Sequence, residues 1–481
     1  MTELKLYNSL SSQTEVFEPY EPGKVKMYHC GPTVYKRQHL GNMRRFLFAD
    51  FLRRSLEFLG YEVREITNIT DVGHLTEDDL DAGEDKLEKE AREQKVSPAE
   101  IAETQTAFFW ADLKALNIQT SHAYPKASAH IPAMQRMIAD LVESGHAYVT
   151  ETGVYFEVEK ADRYGKLSGN TLDALLAGKR VDVRSEKRHP ADFALWIFDT
   201  KQLQRWPSPW GEGYPGWHIE CSAMSLEYLD SPIDIHTGGQ DNKFPHHENE
   251  IAQSEAILKG ESFVRFWLHN SHLQLHGEKL AKRSGEQLTL DTVKERGFSG
   301  LAFRLMVLAS HYRSHMEFSW EGLEVFSGHI KDLNQLLRRL FEHEITYKTK
   351  PEEKTLAAFS MALADDLNTP QAWAIVLEYV KELNRLLAQD DFGAHEASVA
   401  VATLLQMDKV LGVIGIIMKQ VEGESIPNDV LALVQAREEA RESKQFERAD
   451  DLRARIEAAG YEVEDTSGGP RVIALRTDSG S

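Results

Sequence analysis

The chain has 481 residues, 42% of them hydrophobic, and a formal net charge of −21 at pH 7. That length suits about three ordinary domains. No stretch offers the roughly 20 uncharged apolar residues of a membrane span, and the acidity excludes binding nucleic acid by overall charge, so a polyanionic partner needs local basic surfaces.

Met1 to Lys5 has no charged-then-apolar signal pattern, and Cys30 and Cys221 are too few and too far apart for a disulfide framework. A cytoplasmic protein is expected. In chain order, Val25 to Cys30 is predicted as a strand that stops at the breaker pair Gly31-Pro32. A helix follows, with Met43, Leu47, Phe51 and Phe58 among its apolar positions and Gly60 as its C-terminal cap; Tyr61 to Ile66 then alternates as a second strand. Strand, helix, strand is the unit of a parallel, doubly wound sheet. Ser97-Pro98-Ala99-Glu100 is a capping box opening a helix to about Leu116. Short strands, turns and charge from Ser121 to Trp210 indicate an inserted domain, after which the strand-loop-helix order resumes at Gly216. From about Phe326 the chain is mostly helical, and Pro427 to Arg476 is predicted as two helices and a hairpin turning at Ser467-Gly468-Gly469-Pro470. Candidate basic surfaces are Lys179, Arg180, Arg184, Lys187 and Arg188, and later Arg338 and Arg339, although such runs are more often plain solvated surface.

Three constellations carry chemistry. His246 and Glu250 stand four apart behind Pro245, so both project from one helical face and could share a metal. Alone, such a pair is more often a surface pair. With Cys30 and Cys221 added, each at a predicted strand or loop edge, the set becomes two thiolates, an imidazole and a carboxylate, a tetrahedral zinc set open to a soft thiolate ligand. The alternative is two buried cysteines acting as small hydrophobes. His39-Leu40-Gly41-Asn42 lies between the first strand and its helix, where open parallel sheets bind ligands and a helix N-terminus favours phosphate, the alternative being a polar loop with a capping Asn. Gly277 to Gly285 holds Lys279, Lys282 and Arg283 in a glycine-flanked loop suited to clamp polyphosphate, the alternative being a plain exposed basic loop.

Cys30-Gly31-Pro32-Thr33-Val34-Tyr35, Asn68-Ile69-Thr70-Asp71, Gly216 to Ser222 and Phe244 to Gln253 strongly resemble cysteinyl-tRNA synthetases, in the same order and nearly end to end. The resemblance implies an α/β fold: a Rossmann-type parallel-sheet catalytic domain with an inserted connective domain, then a helical bundle and a small mixed α/β C-terminal domain. The expected limits are 1–122 and 211–240 for the two catalytic halves, 123–210 for the insertion, 241–326 for a stem with the clamp loop, 327–422 for the bundle and 427–476 for an anticodon-binding-like domain. One zinc ion would be held by Cys30, Cys221, His246 and Glu250. Thr70, Trp217 and His218 would bind the cysteine substrate. His39 and Asn42 occupy a His-Ile-Gly-His signature around Gly41; Gly238, Gly239 and Asp241 match an adenine-side loop; Lys279 and Lys282 occupy the lysines of a Lys-Met-Ser-Lys-Ser loop.

The implied activity is cysteine activation by ATP, with magnesium, followed by transfer to tRNA-Cys, in a monomer without membrane attachment. Zinc would select the thiolate where pocket shape alone separates cysteine poorly from serine. The sequence departs from the pattern at Asn42, which cannot carry positive charge, in the clamp loop Lys-Leu-Ala-Lys-Arg, and at Gly468-Gly469-Pro470, where a tryptophan is common. Two rivals follow: a degenerate paralogue sensing cysteine or tRNA, and a cysteine ligase of the mycothiol type.

Overall fold

Apolar residues at alternate positions from 25 onward run into Gly31-Pro32, which cannot continue a ladder. The computed structural model describes residues 3–73, 75–77, 82–161, 163–170, 186–198, 202–275, 278–279, 288–389, 391–423, 428–443, 445–466 and 469–474. In it the run is strand β1 (Lys24–His29), followed by helix α1 (Leu40–Phe58) and strand β2 (Glu62–Thr67). Gly60 takes φ = 100°, the left-handed turn that favours glycine after a helix.

Strands β3 (Ile233–Gly239) and β4 (Val264–Asn270) complete a sheet in the order β2-β1-β3-β4, each neighbouring pair parallel. Parallel sheets are covered on both faces, and Val25, Met27, Ile235, Phe266 and Leu268 are accordingly buried in one apolar cluster. The chain leaves β1 towards one edge of the sheet and β3 towards the other. The crevice at the C-terminal ends of β1 and β3 is therefore the switch point where ligands bind in such sheets. The sheet extends past residue 240, where the sequence places the stem. Strand β4 pairs along the length of β3 from Ile233 to Gly239, so the catalytic layer needs residues 264–270.

Between β2 and β3 an antiparallel sheet is built from Ala147–Val149, Gly153–Phe156, Phe193–Ile197 and Tyr214–Pro215. The helix Ile131–Glu143 packs Met134, Ile138 and Leu141 against its Val154, Phe156 and Leu195. The last strand falls beyond residue 210 because Tyr214 and Pro215 pair with Ile197 and Trp196. The capping box at Ser97 is present, with Ser97 Oγ accepting from Glu100 N at 3.2 Å and Ser97 N donating to Glu100 Oε2 at 2.8 Å.

After β4 the chain is mainly helical, and its first long helix begins at Trp320, just ahead of the expected Phe326. Helices Asn428–Glu442 and Phe446–Ala458 and the hairpin Tyr461–Thr466/Gly469–Ala474 pack around Val430, Val434, Ile456 and Val463. The expected turn residues Ser467 and Gly468 lie outside the described residues. Among the described residues, no helix is long and apolar enough to cross a membrane.

Candidate metal centre and nucleotide cavity

Cys30 follows β1 directly, and its N–H donates to Thr237 O of β3 at 3.2 Å, which sets the thiol at the switch point. Gly31 must be glycine here: a Cβ would stand 1.5 Å from the Asn68 carbonyl oxygen. Cys221 sits on helix α2 (Trp217–Leu229), and His246 and Glu250 sit one turn apart on helix α3 (His246–Ile257). The donor atoms of these four buried residues all lie within 4.8 Å of one another. His246 Nε2 is 3.0 Å from Glu250 Oε1, and Cys30 Sγ is 3.8 Å from the same oxygen.

Two further histidines, His236 and His218, hold this set. His236 Nε2 lies 2.9 Å from Glu250 Oε2, and His218 Nδ1 lies 2.9 Å from His246 Nδ1, which turns Nε2 of His246 towards the other donors. Burial pushes the Cys30 thiol up. The Cys221 thiol is raised well above its ordinary value, first by its hydrogen bond with Cys30 and then by burial. Burial lowers the His246 imidazole, but Cys221 and Glu250 outweigh it and raise the group to about 10. Burial likewise pushes the Glu250 carboxyl up, and His236 and His246 outweigh it, bringing it down to about 2. Four donors so close together in a dry site suit a divalent cation.

Cys30, His236, His247 and Glu250 also cluster within 4.8 Å. The two sets differ in access. A cavity of about 270 Å3 has Cys30, Cys221 and His246 in its wall, whereas His236 and His247 do not line it. A ligand in the cavity would therefore reach an ion held by the first set, and not one held by the second. Thr70 and Trp217 line the same cavity. The Trp217 ring centroid is 4.3 Å from that of His246, and Thr70 is fixed by Glu220 Oε2 at 2.8 Å and Asn68 Nδ2 at 3.0 Å. From the start of α1, His39 and Asn42 also face the cavity. His39 is the N-cap of α1, its Nδ1 accepting from Asn42 N at 3.2 Å, while Asn42 Nδ2 donates to Gln38 Oε1 at 2.9 Å.

Residues 16–328 match the model of the tRNA synthetases class I (C) catalytic domain, residues 358–415 the DALR domain, and residues 424–471 the cysteinyl-tRNA ligase anticodon binding domain. The cysteine–tRNA ligase of Thermus thermophilus is 43% identical over 97% of this chain and 98% of its own length. The chain belongs to the cysteine–tRNA ligase family. The cysteine–tRNA ligase of Chlorobaculum tepidum is 42% identical over 98% of each chain. Among solved structures, a Mycobacterium tuberculosis methionyl-tRNA synthetase in complex with methionyl-adenylate matches with a TM-score of 0.56 over 84% of this chain and 92% of its own, at 13% identity, which shows a shared class I synthetase fold.

Against that family pattern, the fold brings together Cys30, Cys221, His246, Glu250, Thr70, Trp217, His39 and Asn42. His218 lies behind His246 and does not line the cavity, because its ring is taken up in the hydrogen bond to His246. Gly41 opens α1; a Cβ there would press on the His39 ring at 3.0 Å. Gly238 allows His247 to approach, since a Cβ would stand 2.6 Å from its Cε1. Gly239 and the exposed Asp241 stand at the end of β3, beyond the cavity lining, with Asp241 Oδ1 3.4 Å from His272 Nε2. The strand Glu278–Lys279 pairs with Leu273–Leu275; the rest of the clamp, including Lys282 and Arg283, lies outside the described residues. The flanks of the clamp are tied to α1: Arg44 Nη1 donates to Ser271 O at 2.8 Å and His272 O at 2.6 Å, and Leu40 N donates to Leu288 O at 2.8 Å.

Of the predicted basic surfaces, Lys179, Arg180 and Arg184 lie outside the described residues. Arg188 pairs with Glu157 at 2.8 Å and Arg339 with Asn384 at 2.8 Å. The sequence did not single out His236, His247, Glu220 or Arg45. The alternation along β3 offered one signal, since it puts His236 and Gly238 on one face of the strand.

Proposed function

We infer that this member of the cysteine–tRNA ligase family activates cysteine with ATP and magnesium and transfers it to tRNA-Cys, with zinc as the seat for the substrate sulfur. The observation that carries this is the convergence of two thiols, an imidazole and a carboxylate from three separate segments, with the thiols and the imidazole in the wall of one cavity. When bound there, zinc would supply a soft Lewis acid that takes cysteine as the thiolate and accepts a serine hydroxyl poorly.

Trp217 and Thr70 would orient the amino acid beside that seat, and the N-terminus of α1, with His39 and Asn42, would receive the phosphates of ATP. Lys279 and Lys282 of the clamp would stabilise the charge leaving on pyrophosphate. Gly238, Gly239 and Asp241 would hold the adenine side. The anticodon-binding match at 424–471 and the end-to-end similarity to cysteine–tRNA ligases support this function over a shorter cysteine ligase.

Cysteine-dependent ATP–pyrophosphate exchange tests it. Exchange with cysteine should exceed exchange with serine by more than the roughly 100-fold that pocket shape allows, and tRNA carrying the anticodon GCA should be charged preferentially. C221A should lose zinc, read by elemental analysis, and cysteine activation with it. A zinc-free protein, or a fully active C221A, would refute the metal assignment.

A further inference from the structure

The cavity wall carries more positive charge than the matched motifs account for. Lys36, Arg37, Arg45 and Lys86 all line it. Two of these are neutralised: Lys36 pairs with Glu90 at 3.4 Å, and Arg37 Nη2 pairs with Asp112 at 2.8 Å and Asp291 at 2.9 Å. Arg45 makes no ion pair among the described residues. Its guanidinium is placed by Gly31 O, which accepts from Nη2 at 3.1 Å, and by Asn242 Oδ1, 3.5 Å from Nη1.

Arg45 therefore reaches from α1 to the residue after Cys30 on one side and to the loop after β3 on the other. Its arm passes beside Gly239, where a Cβ would make only an ordinary contact, 3.9 Å from Arg45 Cδ. Nε is sealed from solvent and has no hydrogen-bond partner among the described residues. A guanidinium offers five N–H donors, so this one has donors to spare, fixed in place, with a charge that feels Cys30, Cys221 and Asp241 but makes no ion pair among the described residues. Arg45 also lies three residues past Asn42, on the next turn of the same helix face. Asn42 is the position where the signature histidine, which could be cationic, is replaced by a neutral amide.

We propose that Arg45 binds the oxyanion where the cysteine carboxylate meets the α-phosphate of ATP, supplying the positive charge that Asn42 lacks. In that step a carboxylate oxygen forms a bond to the α-phosphorus while the bond from phosphorus to the bridging oxygen breaks. Pyrophosphate leaves with the electron pair, and no proton need move. The non-bridging α-phosphate oxygens carry the charge that Arg45 N–H groups would meet. The proposal rests on the adenylation function above.

The experiment compares ATP–pyrophosphate exchange by the wild-type protein, R45Q and R45K, each with its zinc content. R45Q should lower kcat by roughly 100- to 1,000-fold, the usual cost of removing one such donor, with zinc retained and with a much smaller change in KM for cysteine. R45K should recover at least about tenfold over R45Q, because it restores the charge without the fork. The proposal is overturned if R45Q stays within about twofold of wild type, if R45Q loses its zinc, or if R45K is as slow as R45Q. A wild-type protein that shows no exchange would overturn the adenylation function itself, and this role with it.

Discussion

Glu250 and Glu65 are both buried carboxyls, and their surroundings send them in opposite directions. Glu250 has an imidazole on each oxygen, His246 at 3.0 Å and His236 at 2.9 Å, and is held down at about 2. Glu65 is pushed up to about 7, chiefly by burial. Its cation among the described residues, Arg53, at 3.2 Å, also serves Glu57 at 2.8 Å, and Asp50 adds a like charge. The folded protein therefore keeps a proton on Glu65 that the unfolded chain gives up near the ordinary 4.5. By linkage, the stability Glu65 contributes is fully present below that value and is lost as pH rises to about 7, a change on the order of 3 kcal/mol at most. E65Q, which stays neutral, should gain on the wild type across this window in the pH dependence of the unfolding midpoint. A constant difference between pH 4.5 and 7 would show that Glu65 does not titrate there.

At the scale of elements, a buried arginine ties the catalytic sheet to the helical region. Arg304, on the helix Gly300–Leu308, pairs with Asp50 of α1 at 2.6 Å. It donates to Leu116 O at 3.0 Å, beyond the helix Pro98–Ala115, and to Leu411 O at 2.5 Å, at the end of the helix Ala394–Leu411. Both acceptors are carbonyls at helix C-termini, where a cation is favoured. Arg54 reinforces the joint, bonding Asp50 at 2.8 Å, Asn117 O at 2.8 Å and Lys409 O at 3.1 Å. R304M removes the charge and leaves Asp50 buried with less compensation, which should cost about 3–5 kcal/mol. Denaturant unfolding followed by tryptophan fluorescence would measure this, and a loss under about 1 kcal/mol would mean that Arg54 alone carries the joint.

For the whole molecule, the functional parts are spread along the chain. The candidate metal donors and the cavity lie within the stretch matched by the catalytic model, residues 16–328, while the anticodon-binding match occupies 424–471. The C-terminal helices and hairpin bury Val430, Val434, Ile456 and Val463 among themselves. Activation of cysteine should therefore survive removal of residues 424–481, while charging of tRNA should fall by about tenfold or more, equivalent to losing at least ~1.4 kcal/mol of tRNA contact. Comparing exchange with charging on the shortened protein reads this directly. Parallel loss of both would show that the C-terminal segment supports the catalytic region.

Much of this architecture was legible locally. The end of β1, the glycine after α1 and the capping box at Ser97 are decided by neighbours a few residues apart, so composition and periodicity reveal them. His246 and Glu250 were visible because four residues make one helical turn, and the family motifs named Cys30 and Cys221 beside them. Strand β4 was missed because Arg265 and His269 interrupt its apolar run, which reads as a strand only once β3 is there to pair with it. Arg44 and Arg45 mark the remaining limit. Side by side they look alike, yet Arg44 is buried against the carbonyls of Ser271, His272, His311 and Ser314, while Arg45 faces the cavity with donors to spare. Adjacent residues on a helix point about a quarter-turn apart. Which of the two meets the core and which meets a substrate depends on how α1 packs against segments more than 200 residues away, and no local pattern records that contact.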